Sequence, residues 1–162
     1  MRFVEGIEKK IMDVTQAKAM ISAWKVNGKT VSFTNGCFDI LHPGHIFSIA
    51  QAAKEADYLI VGLNSDNSIK RLKGPDRPIN NTQSRALIIA NLVMVDAVVV
   101  FDEDTPQTLI QSLLPDVLVK GGDYTIETIV GAKEVIANGG KVIINPIVEG
   151  FSTTNIIEKI KK

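Results

Sequence analysis

Both histidines of the chain fall in one short stretch, TNGCFDILHPGH, residues 34–45. His42 and His45 are three residues apart, a spacing that places two side chains on one face of a helix. Pro43 lies between them and suits the first turn of such a helix. The start of a helix gathers unpaired backbone N–H groups and the positive end of the dipole, so the histidines would stand beside a natural phosphate site. Gly36 and Gly44 allow backbone to approach a ligand closely. Two other readings stand beside this one. One histidine could cap the helix while the other packs, or the pair could bind a metal. No Glu or Asp completes an HExxH-type zinc site around them, which favours phosphate chemistry.

These side chains need a scaffold, and the rest of the chain reads as one. Short β-branched runs occur at residues 30–34, 58–64, 96–101, 116–120 and 141–145. Continuously apolar stretches within them, such as VVV and VIIN, suit strands buried on both faces of a parallel sheet. Helical patterns lie between them, near residues 45–56, 67–72, 82–93, 106–114 and 126–138, with a leading helix at 14–26 and a trailing one at 153–160, whose Ile156, Ile157 and Ile160 share a face that should dock it on the sheet. Asn80 with Gln83 reads as a capping pair, and Asn138-Gly139-Gly140 as a helix stop. Alternating elements of this length imply an α/β fold with a parallel sheet of about five strands, in a single domain over residues 1–162: a leading helical segment (1–28) and a core (29–162).

Other motifs are decoys. Gly28-Lys29-Thr30 precedes a strand instead of following one, so it is no P-loop, and the glycines form no GxGxxG. Gly150-Phe151-Ser152 lacks the second glycine of a nucleophile elbow.

Composition narrows the function classes. Lys plus Arg and Asp plus Glu are both 18 among 162 residues, and no basic run exists, which argues against nucleic-acid binding driven by phosphate neutralisation. The single cysteine, Cys37, makes no internal disulfide and suits a reducing compartment. The most apolar stretch, residues 86–101, is broken by Asn91 and Asp96 and is too short to span a membrane. The opening MRFVEGIEKKIMDV has no signal-peptide core. The expected location is the cytoplasm, with no membrane partner.

The segment His42-Pro43-Gly44-His45 resembles the HxGH signature of the nucleotidyltransferase superfamily. NSDNSIKRLKGPDRPIN (64–80), VDAVVVFDEDTP (95–106), DVLVKGGDY (116–124) and EGFSTTNII (149–157) follow in the order seen in one branch, the adenylyltransferases acting on D-glycero-β-D-manno-heptose 1-phosphate. The resemblance implies a Rossmann-like doubly wound sheet and transfer of AMP from ATP, releasing pyrophosphate and giving ADP-heptose, a precursor of surface lipopolysaccharide. It implies Mg²⁺ carried with ATP, a homodimer, and a separate heptose kinase upstream. By this resemblance His42, His45 and Lys73 are catalytic, although alignment of the loop would also admit Lys70 in place of Lys73. Asn35, Gly36, Cys37, Phe38, Asp39, Arg85, Lys120, Gly121, Gly122, Asp123, Tyr124, Ser152, Thr153 and Thr154 would bind the nucleotide. Asn64, Asp66, Lys70 and Glu103 would face the sugar. Related glycerol-3-phosphate cytidylyltransferases carry an arginine where this chain has Ile147, before Val148-Glu149-Gly150, which argues against the cytidylyl alternative. A nucleotide-binding subunit without turnover is a third reading, and it would have no use for a reaction-centre histidine pair.

Overall fold

The computed structural model describes residues 6–122, 124–146 and 150–160. In chain order the elements are β1 (Ile11–Met12), α1 (Val14–Val26), β2 (Val31–Gly36), α2 (Pro43–Ala53), β3 (Tyr58–Asn64), α3 (Asp66–Lys73) and α4 (Thr82–Ala90), then β4 (Ala97–Phe101), α5 (Gln107–Leu113), β5 (Val117–Gly121), α6 (Ala132–Ala137), β6 (Lys141–Asn145) and α7 (Thr153–Ile160). The strands form one parallel sheet in the order β1-β4-β3-β2-β5-β6.

The apolar runs explain the layering. On one face, Phe33, Ile60, Val99 and Leu118 pack with Ala17 and Ile21 of α1, Leu109 and Ile110 of α5, and Val135 of α6. On the other, Leu59, Val61, Leu63, Val98 and Val119 pack with Ile49 and Ala52 of α2 and Ala86 and Ile89 of α4. Strands covered on both faces cannot alternate with polar residues, hence sequences such as AVVVF. Gly62 admits one of the larger rings: a Cβ there would lie 2.6 Å from Cζ of Phe33 on the neighbouring strand. The chain runs from β2 outward through β3 to β4, then returns to the other side of β2 for β5 and β6. The strand order therefore reverses between β2 and β5, and the carboxyl ends of those strands form the crevice where doubly wound sheets take ligands.

Three expectations about the scaffold are revised. The sheet has six strands, because Ile11 and Met12 pair with Val98 and Val99 at its edge; two residues are too few for periodicity to reveal. Residues 126–138 are not one helix. Gly131, at φ +84°, separates a 3₁₀ turn (Ile126–Thr128) from α6, and a Cβ there would strike Ile110 at 2.6 Å. Finally, α4 is capped by Asn81, which accepts from the Ser84 N–H, whereas the N–H of Asn80 goes to Asp39. The stop at Asn138 stands, with Gly139 left-handed and the Gly140 N–H bonded to the Val135 carbonyl.

Candidate active site

Residues 37–41 leave β2 at the crevice. Phe38 and Ile40 take positive φ (46° and 49°), a conformation that non-glycine residues hold only where their surroundings enforce it. Asp39 supplies the enforcement. Its fully enclosed carboxylate accepts from Arg77 Nε (2.9 Å) and from the backbone N–H groups of Ile79 (2.8 Å) and Asn80 (3.0 Å). Burial alone would raise its pKa, but these donors outweigh it and hold the carboxyl below the usual range. The loop is thus strapped to residues 77–80. Gly36 leaves no room for a side chain, because the Phe38 ring lies over it, 3.0 Å from where a Cβ would sit.

The loop delivers the histidines. His42 is the N-cap residue of α2, and Pro43 begins the helix. The two imidazoles stack at 3.7 Å between centroids, 19° from parallel. Phe38 meets His45 edge-on at 5.5 Å, and Phe151 lies parallel to His42 at 6.2 Å. The Nδ1 atoms of both rings are enclosed and have no hydrogen-bond partner among the described residues. A proton there would be buried without an acceptor, so the ring proton belongs on Nε2. Burial pushes both pKa values down. His45, further opposed by charge on His42, falls to about 4. At neutral pH the pair are therefore N–H donors, not cations.

Positive charge comes from elsewhere. Lys73, Arg77 and Lys120 line the same cleft of about 440 Å³ as the histidines. Lys120 sits at the switch point itself, its Nζ donating across it to Asn35 Oδ1 at 2.8 Å, and burial lowers its pKa. Opposite, Ser152, Thr153 and Thr154 close the cleft at the start of α7, with Thr153 Oγ1 donating to the Asp39 carbonyl at 3.0 Å. That helix buries none of its residues and leaves Ile160 75% exposed, so its expected docking on the sheet through Ile156, Ile157 and Ile160 is not found. Two smaller clefts adjoin. One, about 160 Å³, is lined by Gly44, Phe47, Gly121, Pro146 and Phe151 beside the histidines; the other, about 330 Å³, lies beyond Lys120.

Most residues anticipated for the site meet here. His42, His45, Lys73, Asn35, Gly36, Cys37, Phe38, Asp39, Lys120, Gly121, Tyr124, Ser152, Thr153 and Thr154 all line the main cleft, and Asn64 lines the one beyond Lys120. Asp123 and the 147–149 segment lie outside the described residues. Gly122 is buried behind the rim, its N–H on the Asn145 carbonyl.

Four others do not line these clefts. Arg85, expected at phosphate, is 1% exposed, and its guanidinium is spent on the carbonyls of Asn80, Cys37 and Asn64, the Asp66 carboxylate and the Thr82 hydroxyl. Asp66 faces that arginine, which with Thr82 keeps its pKa low against the opposing effect of burial. Lys70 points into solvent, and Glu103 turns back onto the Asp102 N–H. Arg77 and Phe151 were missed by sequence reasoning. Arg77 belongs to the GPDRP turn, where its charge read as loop, and Phe151 carried no signal before α7 was placed.

Comparison with known proteins gives the chain a family. A Cytidylyltransferase-like family model matches residues 33–159. Bifunctional protein HldE of Mesorhizobium japonicum is 54% identical over 151 residues, 93% of this chain and 30% of that protein. HldE of Hyphomonas neptunium is 60% identical over 139 residues, 86% and 29% respectively. The chain thus spans about a third of the length of these curated relatives. Among solved structures, a lipopolysaccharide core biosynthesis protein of Thermoplasma volcanium is 29% identical, with TM-score 0.59 over 75% of this chain and 98% of that one. A pantoate–β-alanine ligase of Francisella tularensis shares the fold at 17% identity and TM-score 0.58, over 93% of this chain and 76% of that one. With the matched residues running from the middle of β2 into α7, the chain belongs to the cytidylyltransferase-like family.

Proposed function

We propose that the protein transfers AMP from ATP to D-glycero-β-D-manno-heptose 1-phosphate, releasing pyrophosphate and forming ADP-heptose. The observation that carries the reading is the stacked histidine pair at the start of α2, inside a cleft that also holds Lys73, Arg77 and Lys120. Family membership and the HldE relatives support nucleotidyl transfer. The Thermoplasma relative supports a role in making a surface-sugar precursor.

In the reaction an oxygen of the sugar phosphate attacks the α-phosphorus of ATP. A new P–O bond forms as the α–β bridging bond breaks, and pyrophosphate leaves with that electron pair. The attacking phosphate is already ionised, so no base is needed, and the protein has only to orient two anions and absorb growing charge. His42 and His45 donate Nε2–H to the nonbridging oxygens, while Lys73, Arg77 and Lys120 offset charge on both reactants. The hydroxyls of Ser152 and Thr154 and the α7 N-terminus receive the β- and γ-phosphates. The slot between Gly44, Phe47, Gly121 and Pro146 takes the flat apolar base. The Asp39 carboxylate is already taken up by three donors, and no group of three His, Cys, Asp or Glu gathers among the described residues. That lining suits Mg²⁺ held by the phosphates themselves, where it would neutralise their oxygens. No helix among the described residues is long and apolar enough to cross a membrane. Action in the cytoplasm, as a homodimer downstream of a heptose kinase, completes the proposal.

The test is pyrophosphate release with ATP, CTP, GTP and UTP against heptose 1-phosphate and glycerol 3-phosphate. The highest kcat/KM is expected for ATP with heptose 1-phosphate; a preference for CTP with glycerol 3-phosphate overturns it. His42→Ala and His45→Ala should each lower kcat by about 100- to 1000-fold with little change in ATP affinity.

A further inference from the structure

The cleft of about 330 Å³ beyond Lys120 has so far had no assigned occupant. It opens at the carboxyl ends of β2, β3 and β5 and is closed by the end of α3, by the loop from β4 to α5 and by the segment after the 3₁₀ turn. Three features set its chemistry. First, Lys73 and Lys120 line both this cleft and the nucleotide cleft, so the two share a cationic wall. Two phosphates brought into line for a displacement need positive charge between them, and this wall is where the clefts offer it. Second, the floor is apolar, with Leu118, Ile129 and Pro106, which suits the C–H face of a sugar ring. Third, the rim offers the Asp104 carboxylate and the Thr105 hydroxyl, and the nearly buried Asn64, whose Nδ2 donates to Ser68 Oγ, adds its Oδ1 as an acceptor, a donor–acceptor set for vicinal hydroxyls. Asp104 is held in place by Arg71, whose Nε lies 2.6 Å from Oδ1 and which also donates to the Asp102 carbonyl. Arg71 and Lys73 are both on the last turn of α3, so one helix end orients the rim carboxylate and supplies a lysine of the shared wall.

We infer that this cleft is the acceptor pocket, taking a phosphorylated polyhydroxy sugar with its hydroxyls on Asp104, Thr105 and Asn64 and its phosphate on Lys73 and Lys120. The inference rests on the nucleotidyltransferase reading and moves the sugar away from Asp66, Lys70 and Glu103 to Asp104 and Thr105.

Asp104 and Thr105 are exposed, so Asp104→Ala and Thr105→Val should fold and melt as the parent does. Each should raise KM for heptose 1-phosphate by roughly tenfold to a hundredfold, the effect of losing a hydrogen bond in a polar pocket. The Kd for ATP, measured by calorimetry without sugar, should stay within twofold. Arg71→Ala, which frees Asp104, should raise the same KM by less. An unchanged sugar KM in both rim variants, or equal losses for sugar and ATP, overturns the pocket. If the parent protein gives no pyrophosphate with any sugar phosphate, the enzymatic reading fails on its own. The pocket is then judged by calorimetric binding of heptose 1-phosphate: binding lost in Asp104→Ala upholds it, and no binding by the parent overturns it.

Discussion

Replacing Arg85 by Met separates a scaffold role from a ligand role. The Nη1 bond to the Asn64 carbonyl is buried at both ends, and stranding that acceptor costs about 1–3 kcal/mol. The bonds to Asn80, Cys37, Asp66 and Thr82 have partners that can reach water, and each contributes about 0.5–1.5 kcal/mol net. Packing of the methionine and rehydration of Asp66 offset part of the loss. The expected destabilisation is about 3–5 kcal/mol, the range for breaking one partner out of a buried ion pair. For a chain of this length that lowers Tm by roughly 10–15 °C, readable by calorimetry. Because the guanidinium does not reach the cleft, ATP affinity measured at 10 °C, where the variant is still folded, should stay within about threefold of the parent. kcat should fall further than that, since the Cys37 carbonyl anchors the loop that carries the histidines. A variant that melts with the parent but loses ATP affinity thirtyfold would refute the reasoning and return Arg85 to the phosphates.

Three further expectations are sharp. Between pH 6.5 and about 4 the unfolded chain protonates His45 while the folded one resists, so stability should decline as pH falls through that window; His45→Gln should flatten the decline in urea titrations. Gly44→Ala adds a good helix former but places a Cβ 3.1 Å from the His42 ring and from Cβ of Phe151, so melting should hold or rise while kcat drops severalfold. Thr153→Val should lower Tm by a few degrees through the lost bond to Asp39, whereas Thr154→Val should leave Tm alone and weaken ATP binding about tenfold or more, as calorimetry would show.

Much of the scaffold was legible because strands buried on both sides leave largely apolar runs, and β3, β4 and β6 sit within a residue of where those runs place them. The histidine pair was legible because spacing and Pro43 both speak of a helix start. What stayed hidden depended on contacts far apart in sequence. Arg85 is placed at the nucleotide by resemblance until residues 37 and 64 are seen to offer it carbonyls. Asp39 reads as a ligand group until the backbone of residues 79 and 80 takes it. β1 is set by its register with β4, not by any pattern of its own. The apolar face of α7 reads as core, yet the helix is tethered at its start and buries none of its residues.

The position of β2 has a consequence for motion. It is hydrogen-bonded to β3 along its whole length and to β5 on its other side, with Val31 and Phe33 fully enclosed. Amides in such a strand exchange with solvent only through global opening, whereas those of a helix without buried residues exchange through local fraying. The loop that presents the histidines therefore grows from the slowest-exchanging part of the molecule, and the hydroxyls of α7 from one of the fastest. A triphosphate lying between them would be gripped on one side by a fixed jaw and on the other by one that can swing away, which lets pyrophosphate depart without disturbing the alignment of the reacting centre.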